Sequence, residues 1–392
     1  MAGSGIGTLF RIQTFGESHG PAIGVIVDGC PAGLKLSESD IQYYLDRRKP
    51  GNSSISTPRK EADAVEILSG VFEGKTTGCP IAMMIRNTAQ HSADYSQIAE
   101  CYRPGHADFT FDEKYGFRDY RGGGRSSGRE TAARVAAGAI AAKILEELGI
   151  TVTAYTKSIG PISINEENYD ETQITKNPCA MPDAEAAKLA ESYLKECMEE
   201  KDSSGGVIEC RITGMIPGIG EPVFDKLDAD LAKAIMSIGG VKAVEIGDGV
   251  AVSKMKGSEN NDAFCADTAD TDAGHQSGYA VIYNELSAYL PENAVIRKTT
   301  NHSGGTLGGI SDGSPVILRA HIKPTPSIFR EQDTISRNGD PMKLTIKGRH
   351  DPVIVPRAVV VVECMCALTV LDLLMINTTS QLSNLKRIYQ NR

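Results

Sequence analysis

The spacing of apolar and polar positions predicts a chain in which strands and helices are mixed throughout. Short apolar runs beside Gly or Pro predict buried strands, and longer segments with apolar residues three or four positions apart predict helices. Strands are expected at residues 22–28, 65–72, 80–86, 150–158 and 207–212. Helices are expected at residues 37–50, 129–148, 182–198, 225–238 and 358–376. Ser37 and Asp40 have the spacing of a capping box at the start of the first helix.

Two stretches depart from this regular pattern. Residues 258–274 are acidic and poor in apolar side chains, which predicts an exposed loop. Residues 358–376 are apolar enough to raise the question of a membrane span, but they include Glu363 and Asp372. A charged residue costs about 2.5 kcal/mol or more at the bilayer centre. We therefore expect a buried C-terminal helix and no association with a membrane.

Length and composition limit the architecture. A chain of 392 residues exceeds the usual limit for one hydrophobic core, so two domains or one large layered domain are expected. No break in composition marks a linker, which favours one domain over residues 1–392 with long functional loops. The 41% hydrophobic and 23% charged residues are those of an ordinary globular protein. The 40 glycines exceed the average share of about 7%, which suggests tight loops close to a ligand.

Charge and cysteine content argue against several classes of protein. The net charge of -9 provides no general basic field, and no long Lys/Arg run supplies one locally, so nucleic-acid binding is not expected. An anionic substrate would need arginines gathered at one place. The nine cysteines are scattered and lack a C-x-x-C pair, which favours reduced thiols over disulfides or a zinc site. Residues 1–10 do not resemble a signal peptide, so a cytoplasmic location is expected.

The first cluster of chemically active side chains consists of Glu17, Ser18 and His19, between Gly16 and Gly20. A loop bracketed by glycines can present a histidine to a ligand. Spacing alone leaves open the alternative that His19 only completes a turn.

The second cluster is the Arg- and Gly-rich run at residues 118–130, directly before the predicted helix at 129–148. A helix N-terminus has unpaired N–H groups and the positive end of the dipole, and the glycines at 122–124 allow an anion to approach. Arg125 and Arg129 can add bidentate contacts to phosphate or carboxylate. The alternative is a solvated turn. The run matches neither a Walker A loop nor a dinucleotide fingerprint, so ATP and NAD binding lose support.

Further charged or hydroxyl side chains stand beside Gly or Pro at residues 103–108, 301–309, 323–327 and 348–352. Such settings are typical of preformed ligand loops. Together they could supply a second anion site, such as one for a flavin phosphate.

Three segments carry a resemblance to a known family. Residues 16–20 (GESHG), 120–131 (YRGGGRSSGRET) and 348–352 (GRHDP) resemble the signature segments of chorismate synthases, in the same order and at the same spacing. Residues 45–51, 68–74 and 220–225 are also similar to the family, so the resemblance spans essentially the whole chain. It implies an α+β fold, a large single-domain β-α-β sandwich with long ligand-binding loops, and assembly into a homotetramer.

The resemblance also implies a reaction. Chorismate synthases catalyse the anti 1,4-elimination of phosphate from 5-enolpyruvylshikimate 3-phosphate (EPSP), the last step of the shikimate pathway. They need reduced FMN, from an external source, although no net redox change occurs. The flavin aids expulsion of phosphate by transient electron donation, while the protein supplies placement and charge.

Carried over by motif position, the resemblance assigns roles to individual residues. His19 would protonate the departing phosphate, His106 would tune protonation of the flavin ring, and Asp351 would serve a proton relay beside it. The substrate anions would be bound by Arg48, Ser127, Arg129 and Arg349. FMN would be held by Arg125, Ser126, Ser127, Gly239, Gly240, Gly308, Lys323, Pro324, Thr325, Pro326, Ser327 and Arg349.

One position departs from the family pattern. Many members have a further Arg six positions after the one corresponding to Arg48, and Ser54 stands there in this chain. Either Arg59 or Lys60 compensates or contact with NADPH is absent, so NADPH binding is not assigned. Two alternatives stand beside the lyase: a flavin oxidoreductase that transfers hydride to a phosphorylated substrate, and a flavin- or anion-binding sensor without catalysis.

Overall fold

The computed structural model describes residues 3–51, 61–88, 98–268, 294–346 and 351–390. In chain order its helices are α1 (Glu38–Arg48), α2 (Asp108–Tyr115), α3 (Thr131–Glu147), α4 (Ala184–Glu199), α5 (Leu227–Met236), α6 (Gly257–Asn260), α7 (Val355–Asn377) and α8 (Leu382–Gln390). Its strands are β1 (Gly5–Ile6), β2 (Arg11–Gly16), β3 (Ala22–Asp28), β4 (Val65–Ile67), β5 (Val71–Phe72), β6 (Lys75–Thr76), β7 (Ile81–Arg86), β8 (Thr151–Ile159), β9 (Ile162–Ser163), β10 (Gly206–Thr213), β11 (Val241–Ile246), β12 (Phe264–Thr268), β13 (Ala294–Lys298), β14 (Thr306–Leu307), β15 (Ile310–Ser311), β16 (Val316–Ile322), β17 (Gln332–Ile335) and β18 (Pro341–Leu344).

Two antiparallel sheets of five strands each form the outer layers. The first has the order β1-β2-β3-β7-β4, and the second has the order β11-β16-β10-β8-β9. In the first sheet Val25 of β3 pairs with Thr14 of β2 on one side and Met83 of β7 on the other. In the second sheet Leu318 of β16 lies opposite Cys210 of β10.

Helices fill the space between the two sheets. Helices α1 and α3 pack against strands of the first sheet, α5 and α7 pack against strands of the second, and α3 packs on α7. Gly138 of α3 lies so close to Cys364 of α7 that a Cβ at position 138 would overlap with the Cys364 side chain. Both sheets and these helices share one buried apolar cluster. The α+β class predicted from the sequence is confirmed.

Local sequence explains several elements at their observed bounds. The uninterrupted apolar run at 22–28 forms β3 over the predicted residues. The backbone N–H of Ser37 donates to Asp40 Oδ2 at 2.8 Å, which is the predicted cap of α1. The single strand predicted at 65–72 is instead β4 and β5, because Gly70 adopts a left-handed φ of 79° between them.

Helix α7 is the segment whose apolar sequence raised the question of a membrane span. It is long and apolar enough to do so, alone among the helices of the described residues, but 78% of its most apolar window is buried inside the protein. Glu363 forms a bidentate ion pair with Arg47 at 2.6 and 2.8 Å. Asp372 accepts hydrogen bonds from the backbone N–H groups of residues 8, 9 and 10 at 2.7 to 2.8 Å. Both carboxylates therefore have partners in the protein core, as buried charges require.

The first part of the loop predicted at 258–274 contains a short helix and a strand. Helix α6 covers residues up to Asn260, and β12 pairs with β13 in a separate two-stranded sheet. Most residues from 258 to 266 are exposed, as the acidic composition indicates, but the Asp262 side chain is 2% exposed and its Oδ2 lies 3.1 Å from Lys298 Nζ. Residues 269–274 lie outside the described part of the chain.

Candidate active site

The turn that carries His19 joins β2 to β3 at one end of the first sheet. It begins at Gly16, whose left-handed φ of 85° and missing side chain let the backbone of Ala22 approach closely. The backbone N–H of Gly20 donates to the carbonyl oxygen of Glu17 at 3.1 Å. The turn is therefore tight and projects His19 from the end of two paired strands.

Two neighbours hold the His19 ring. Ser18 is buried, and its Oγ lies 3.0 Å from His19 Nδ1. The backbone of Gly122 lies against the ring, so closely that a Cβ at position 122 would overlap with Cε1 and Nδ1. The pKa of Asp119 is lowered chiefly by its hydrogen bonds with Arg121, and the charge of His19 contributes to a smaller extent. The first and second clusters identified in the sequence thus meet at His19.

Arg125 reaches from the second cluster to the strand that leads into the His19 turn. Its guanidinium donates to the carbonyl oxygen of Gly16 at 3.1 Å and to Thr14 Oγ1 at 2.7 Å. Its Nη2 also lies 3.6 Å from Glu130 Oε1. The Arg125 side chain is 27% exposed, so part of the guanidinium can still face a ligand.

Ser126 and Ser127 shape the backbone just before α3. Ser126 Oγ donates to the carbonyl oxygen of Gly123 at 2.7 Å. Ser127 Oγ accepts from the backbone N–H of Arg129 at 3.3 Å and caps a short 3-10 turn that runs into the helix. Apart from its two chain neighbours, no described residue has an atom within 4 Å of where a Cβ on Gly128 would lie. The structure therefore leaves room for an anion near this helix N-terminus.

Asp63 joins the two predicted substrate-binding arginines that the structure describes. Its Oδ2 accepts from Arg48 Nη2 at 2.8 Å, and its Oδ1 forms a very short contact with Arg129 Nη1. Arg129 Nη2 also lies 2.8 Å from Glu61 Oε2. Burial of Asp63 opposes its charge, but Arg48 and Arg129 outweigh burial and hold the pKa of this carboxyl below its ordinary value. Sequence analysis missed Asp63, which stands in no glycine-rich motif.

Arg48 and Arg129 are buried and bonded to further protein oxygens. Arg48 also donates to the carbonyl oxygen of Gly128 at 3.1 Å, and Arg129 to that of Arg86 at 3.2 Å. Arg48 and Arg129 are 2% and 7% exposed, which excludes a solvated turn for Arg129. Both guanidinium groups are therefore held in fixed orientations at the foot of α3, with most of their N–H groups already bonded to protein oxygens.

Asn87 is a further residue that the sequence analysis missed. It directly follows β7, and its Oδ1 accepts from Arg129 Nε at 2.8 Å. Its Nδ2 donates to the carbonyl oxygens of Glu17 and Gly20 at 2.9 and 2.7 Å. The side chain thus connects the buried arginine with the two ends of the turn that carries His19.

Asp351 lies at the start of the segment that enters α7. It is 8% exposed and forms a very short ion pair with Arg357 Nη1. Arg357 Nε in turn donates to the carbonyl oxygen of Arg48 at 3.1 Å. Asp351 is therefore linked through one arginine to the helix that carries Arg48. Arg349 lies outside the described residues, as do Ser54, Arg59 and Lys60.

His106 and the segment 323–327, predicted from separate motifs, are brought together. His106 Nε2 lies 2.9 Å from Ser327 Oγ, and its Nδ1 lies 2.9 Å from the carbonyl oxygen of Pro104. Lys323 Nζ donates to the carbonyl oxygen of Gly105 at 3.0 Å. Two loops far apart in the chain therefore hold His106 from both sides.

Gly239 and Gly240 lie between the segment 323–327 beside His106 and the Arg- and Gly-rich run at 118–130. The backbone N–H of Lys323 donates to the carbonyl oxygen of Gly240 at 2.9 Å. A Cβ at Gly239 would lie 3.9 Å from the carbonyl oxygen of Ser126. The predicted flavin-binding segments at 125–127, 239–240 and 323–327 therefore adjoin one another.

None of the contacts in the described residues links Gly308 to the segments at 125–127, 239–240 and 323–327. It follows β14, and its neighbour Gly309 accepts a hydrogen bond from the backbone N–H of Leu227, at the first turn of α5. Gly239 follows the other end of α5. A helix of 10 residues is about 15 Å long, which separates Gly308 from Gly239 within one chain.

A cavity of about 710 Å³ lies beside α1 and the first turn of α7. Its basic lining residues are Arg47, Lys49, Lys176 and Arg357, and its lining includes none of the predicted site residues. Arg47 and Arg357 are already paired with Glu363 and Asp351. This cavity therefore lies apart from the place where the sequence motifs meet.

Comparisons with known proteins agree with the motifs. The sequence profile described as chorismate synthase matches residues 10–375. The chain is 60% identical over 390 residues to a chorismate synthase of Lachnoclostridium phytofermentans, with 100% of both chains covered. It is 52% identical to a chorismate synthase of Methanocella arvoryzae, covering 95% of this chain and 94% of the relative.

The fold agrees with a solved structure as well. The chain matches a crystal structure of chorismate synthase with a TM-score of 0.72 and 30% sequence identity, covering 98% of each chain. Sequence, profile and fold therefore coincide over nearly the full length. The chain belongs to the chorismate synthase family, whose members are lyases of the shikimate pathway.

Proposed function

We propose that this chain converts EPSP to chorismate by anti 1,4-elimination of phosphate, with reduced FMN bound and no net redox change. The observation that carries the proposal is the contact between the His19 ring and the backbone of Gly122. It joins two signature segments that are far apart in sequence, at the helix N-terminus where an anion is expected to bind. A phosphate leaving group needs both an anion site and a proton donor at one place.

The residues around 323–327 fit a bound FMN. Thr325 Oγ1 is buried and has no hydrogen-bond partner among the described residues, as expected for a donor reserved for a ligand. Beside this segment, no side-chain atom lies within 4 Å of a Cβ placed on Gly239, whereas Gly240, with a left-handed φ of 95°, lies against Ile322 and Ile354. We propose that FMN is held by Arg125, Ser126, Ser127, Gly239, Gly240 and residues 323–327. When bound, reduced FMN would supply transient electron donation that aids expulsion of phosphate.

His19 is proposed as the general acid that protonates the departing phosphate. An imidazole has an ordinary pKa close to neutrality, which suits a donor that must be recharged in each cycle. The contacts with Ser18 and Gly122 restrict rotation of the ring, so that the proton donor keeps one orientation.

Asp351 and His106 are proposed to serve proton transfer beside the flavin. The Arg357 guanidinium holds the Asp351 carboxylate in a fixed place before α7. His106 is held between Pro104 and Ser327, next to the proposed flavin-binding segment. Each side chain thus has a fixed place from which to accept or donate a proton.

Arg48, Ser127, Arg129 and Arg349 are proposed to bind the anionic groups of EPSP. Because Asp63 already engages Arg48 and Arg129, these two would act from fixed positions and not as mobile side chains. A preorganised cation binds an anion without the entropy cost of ordering a long side chain. Gly308 is proposed as a flavin contact on the strength of the family resemblance alone.

The setting of the enzyme is also proposed from the family. We propose a cytoplasmic homotetramer that receives reduced flavin from an external source. NADPH binding is not part of the proposal, because Ser54 replaces an arginine that many relatives have.

An anaerobic assay with chemically reduced FMN and EPSP tests this function. Chorismate and phosphate are expected to appear in equal amounts while the flavin absorbance remains that of the reduced form. Oxidation of one flavin for each product formed would indicate an oxidoreductase instead. Tight FMN binding without any turnover would indicate a sensor.

A further inference from the structure

The side chain of Asn87 uses its hydrogen-bonding groups on two different parts of the proposed site. Its carbonyl oxygen accepts from Arg129 Nε at 2.8 Å, and its amide nitrogen donates to the carbonyl oxygens of Glu17 and Gly20. Both amide N–H groups are thereby used. Its backbone N–H also donates to the carbonyl oxygen of Pro21 at 3.1 Å. One residue therefore contacts a buried cation and both ends of the His19 turn.

The position of Asn87 in the first sheet explains how it reaches both. Arg86, the last residue of β7, pairs with Ala22, the first residue of β3. Asn87 is one residue beyond this pair and lies beside the turn that precedes β3. It is half-buried, so water competes only in part for its hydrogen bonds.

The chemistry of an amide is required for this set of contacts. A guanidinium needs an acceptor, and two carbonyl oxygens need two donors. Asparagine provides both from one short side chain, whereas aspartate provides only acceptors and leucine neither. The orientation of the amide group is fixed by this pattern, since a flipped amide would direct its NH2 group toward Arg129.

We propose that Asn87 is a positioning residue that sets the place of His19 relative to the Arg129 cation. This inference rests on the proposed function in so far as His19 is the proton donor and Arg129 binds the substrate. Through Asn87, the ion-pair network of Asp63 and Arg129 holds the two carbonyl groups that flank Ser18 and His19. A displacement of about 1 Å at a catalytic group can lower turnover on the order of 100-fold.

Two substitutions separate the contacts of Asn87. Asn87→Asp keeps an acceptor for Arg129 but loses both donors to the turn, whereas Asn87→Ala loses all side-chain contacts. Both variants are expected to lower kcat by about 10- to 100-fold. Asn87→Asp is expected to leave the KM for EPSP near the wild-type value, while Asn87→Ala raises it because Arg129 loses its orientation.

Asn177 offers a matched control. Its amide also donates to two backbone carbonyl oxygens, those of Gln173 and Met181, both at 2.8 Å. It belongs to a different loop, and among the described residues its side chain bonds only to the backbone of Gln173, Cys179 and Met181. Asn177→Ala is expected to retain wild-type kcat and KM, even where it lowers thermal stability.

A measurement without substrate keeps this inference separate from the proposed function. The His19 ring resonances of the ligand-free protein, identified by their loss in His19→Ala, are followed by NMR from pH 5 to 9 in wild type and both Asn87 variants. The His19 titration is expected to shift in the Asn87 variants and to stay unchanged in Asn177→Ala. His302, which is bonded to Asp248, should titrate identically in all four proteins.

The kinetic constants and the His19 titration together decide between the possible outcomes. An unchanged His19 titration together with kcat within about threefold of wild type in Asn87→Asp would overturn the positioning role. If wild type makes no chorismate, the proposed function fails, but a shifted His19 titration still supports the link through Asn87. If Asn87→Ala does not fold, the near-isosteric Asn87→Asp decides the question.

Discussion

Arg48 and Asp63 form an ion pair whose side chains are 3% and 0% exposed, with Nη2 of the arginine 2.8 Å from Oδ2 of the aspartate. Asp63 also engages Arg129, so one buried carboxylate orients two cations. A buried ion pair is not a strong source of stability by comparison with apolar packing, but breaking one leaves an unpaired buried charge. Asp63 therefore fixes the relative place of the two arginines, and Glu61 is a second carboxylate beside Arg129.

Asp63→Asn is expected to lower the free energy of unfolding by about 3 to 5 kcal/mol, because two buried guanidinium groups lose their shared counter-ion. Urea denaturation followed by circular dichroism measures the change. Glu66→Gln serves as the control, since Glu66 pairs with Arg86 at an exposed site where the expected loss is about 0 to 1 kcal/mol. Equal effects of the two substitutions would contradict the structural role of Asp63.

The pH dependence of stability is expected to reflect Glu209. Burial of Glu209 opposes its charge, but Tyr155, Lys157, Arg211 and Arg319 outweigh burial and lower its pKa from 4.5 to about 2. Because the folded-state pKa is the lower one, the stabilisation is fully present above pH 4.5 and is lost as the pH falls toward about 2.

Glu209→Gln tests this pH dependence. The variant should be less stable than wild type at pH 7 and lose less additional stability between pH 4.5 and 2, so the two curves converge in acid. Urea midpoints at several pH values measure both curves. Parallel curves across that window would show that Glu209 titrates in the folded protein at its ordinary pKa.

Arg129→Ala is expected to weaken EPSP binding by about 2 to 5 kcal/mol, because it removes one partner of a desolvated charge contact. FMN affinity should change less, since the proposed flavin contacts lie at other residues. Calorimetric titration of both ligands, well below the unfolding temperature of the variant, measures the two effects. Arg387→Ala on the exposed helix α8 is the control for loss of an arginine. Unaltered EPSP affinity in Arg129→Ala would show that Arg129 is purely structural.

His19→Ala and Asp351→Ala are both expected to lower turnover by about 10²- to 10⁴-fold while still folding and binding FMN. Their defects should differ. His19→Ala should be slow in phosphate expulsion, and Asp351→Ala should be slow in hydrogen removal, with a larger isotope effect for EPSP deuterated at C6. Single-turnover kinetics with protiated and deuterated substrate distinguishes them.

Asp351 has an alternative role that the same experiment can detect. Its ion pair with Arg357 could serve only to fix the chain before α7. In that case Asp351→Ala would lower the unfolding temperature and leave the rate per folded molecule near normal. Arg357→Ala provides the comparison, because it breaks the same ion pair while keeping the carboxylate.

Much of the fold was predictable where the pattern is local. Strand β3 was found because its apolar run is unbroken. Strand β16 was missed although its alternate residues, from Val316 to Ile322, are buried in a regular period of two. Arg319 and His321 stand at the less buried positions between them, which is the expected pattern for a strand with one buried face, so this strand was predictable from the sequence. The order of strands in both sheets depends on pairing between distant segments and was not predictable from local pattern.

The candidate site likewise contains residues that local sequence indicates and residues that only the folded chain brings together. His19 and Arg125 could be predicted because they stand in glycine-rich motifs, and glycine is favoured where the backbone approaches a ligand or another segment closely. Asp63 and Asn87 stand in no such motif. Each owes its role to a partner that is remote in sequence, and only the folded chain brings Asn87 beside Glu17 or Asp63 beside Arg129.

The carboxylate of Asp372 accepts hydrogen bonds from the backbone at residues 8–10, so this N-terminal segment can reach its final contacts only after the end of α7 has been synthesised. A ribosome makes the first sheet and α3 long before α7, so these early elements expose apolar surface until residue 372 has emerged. Chains stalled before Val355 are expected to bind chaperones and to lack protected amides at residues 8–10 in hydrogen exchange. Folding of this chain is therefore completed after translation has passed α7, and the N-terminal segment is fixed among the last.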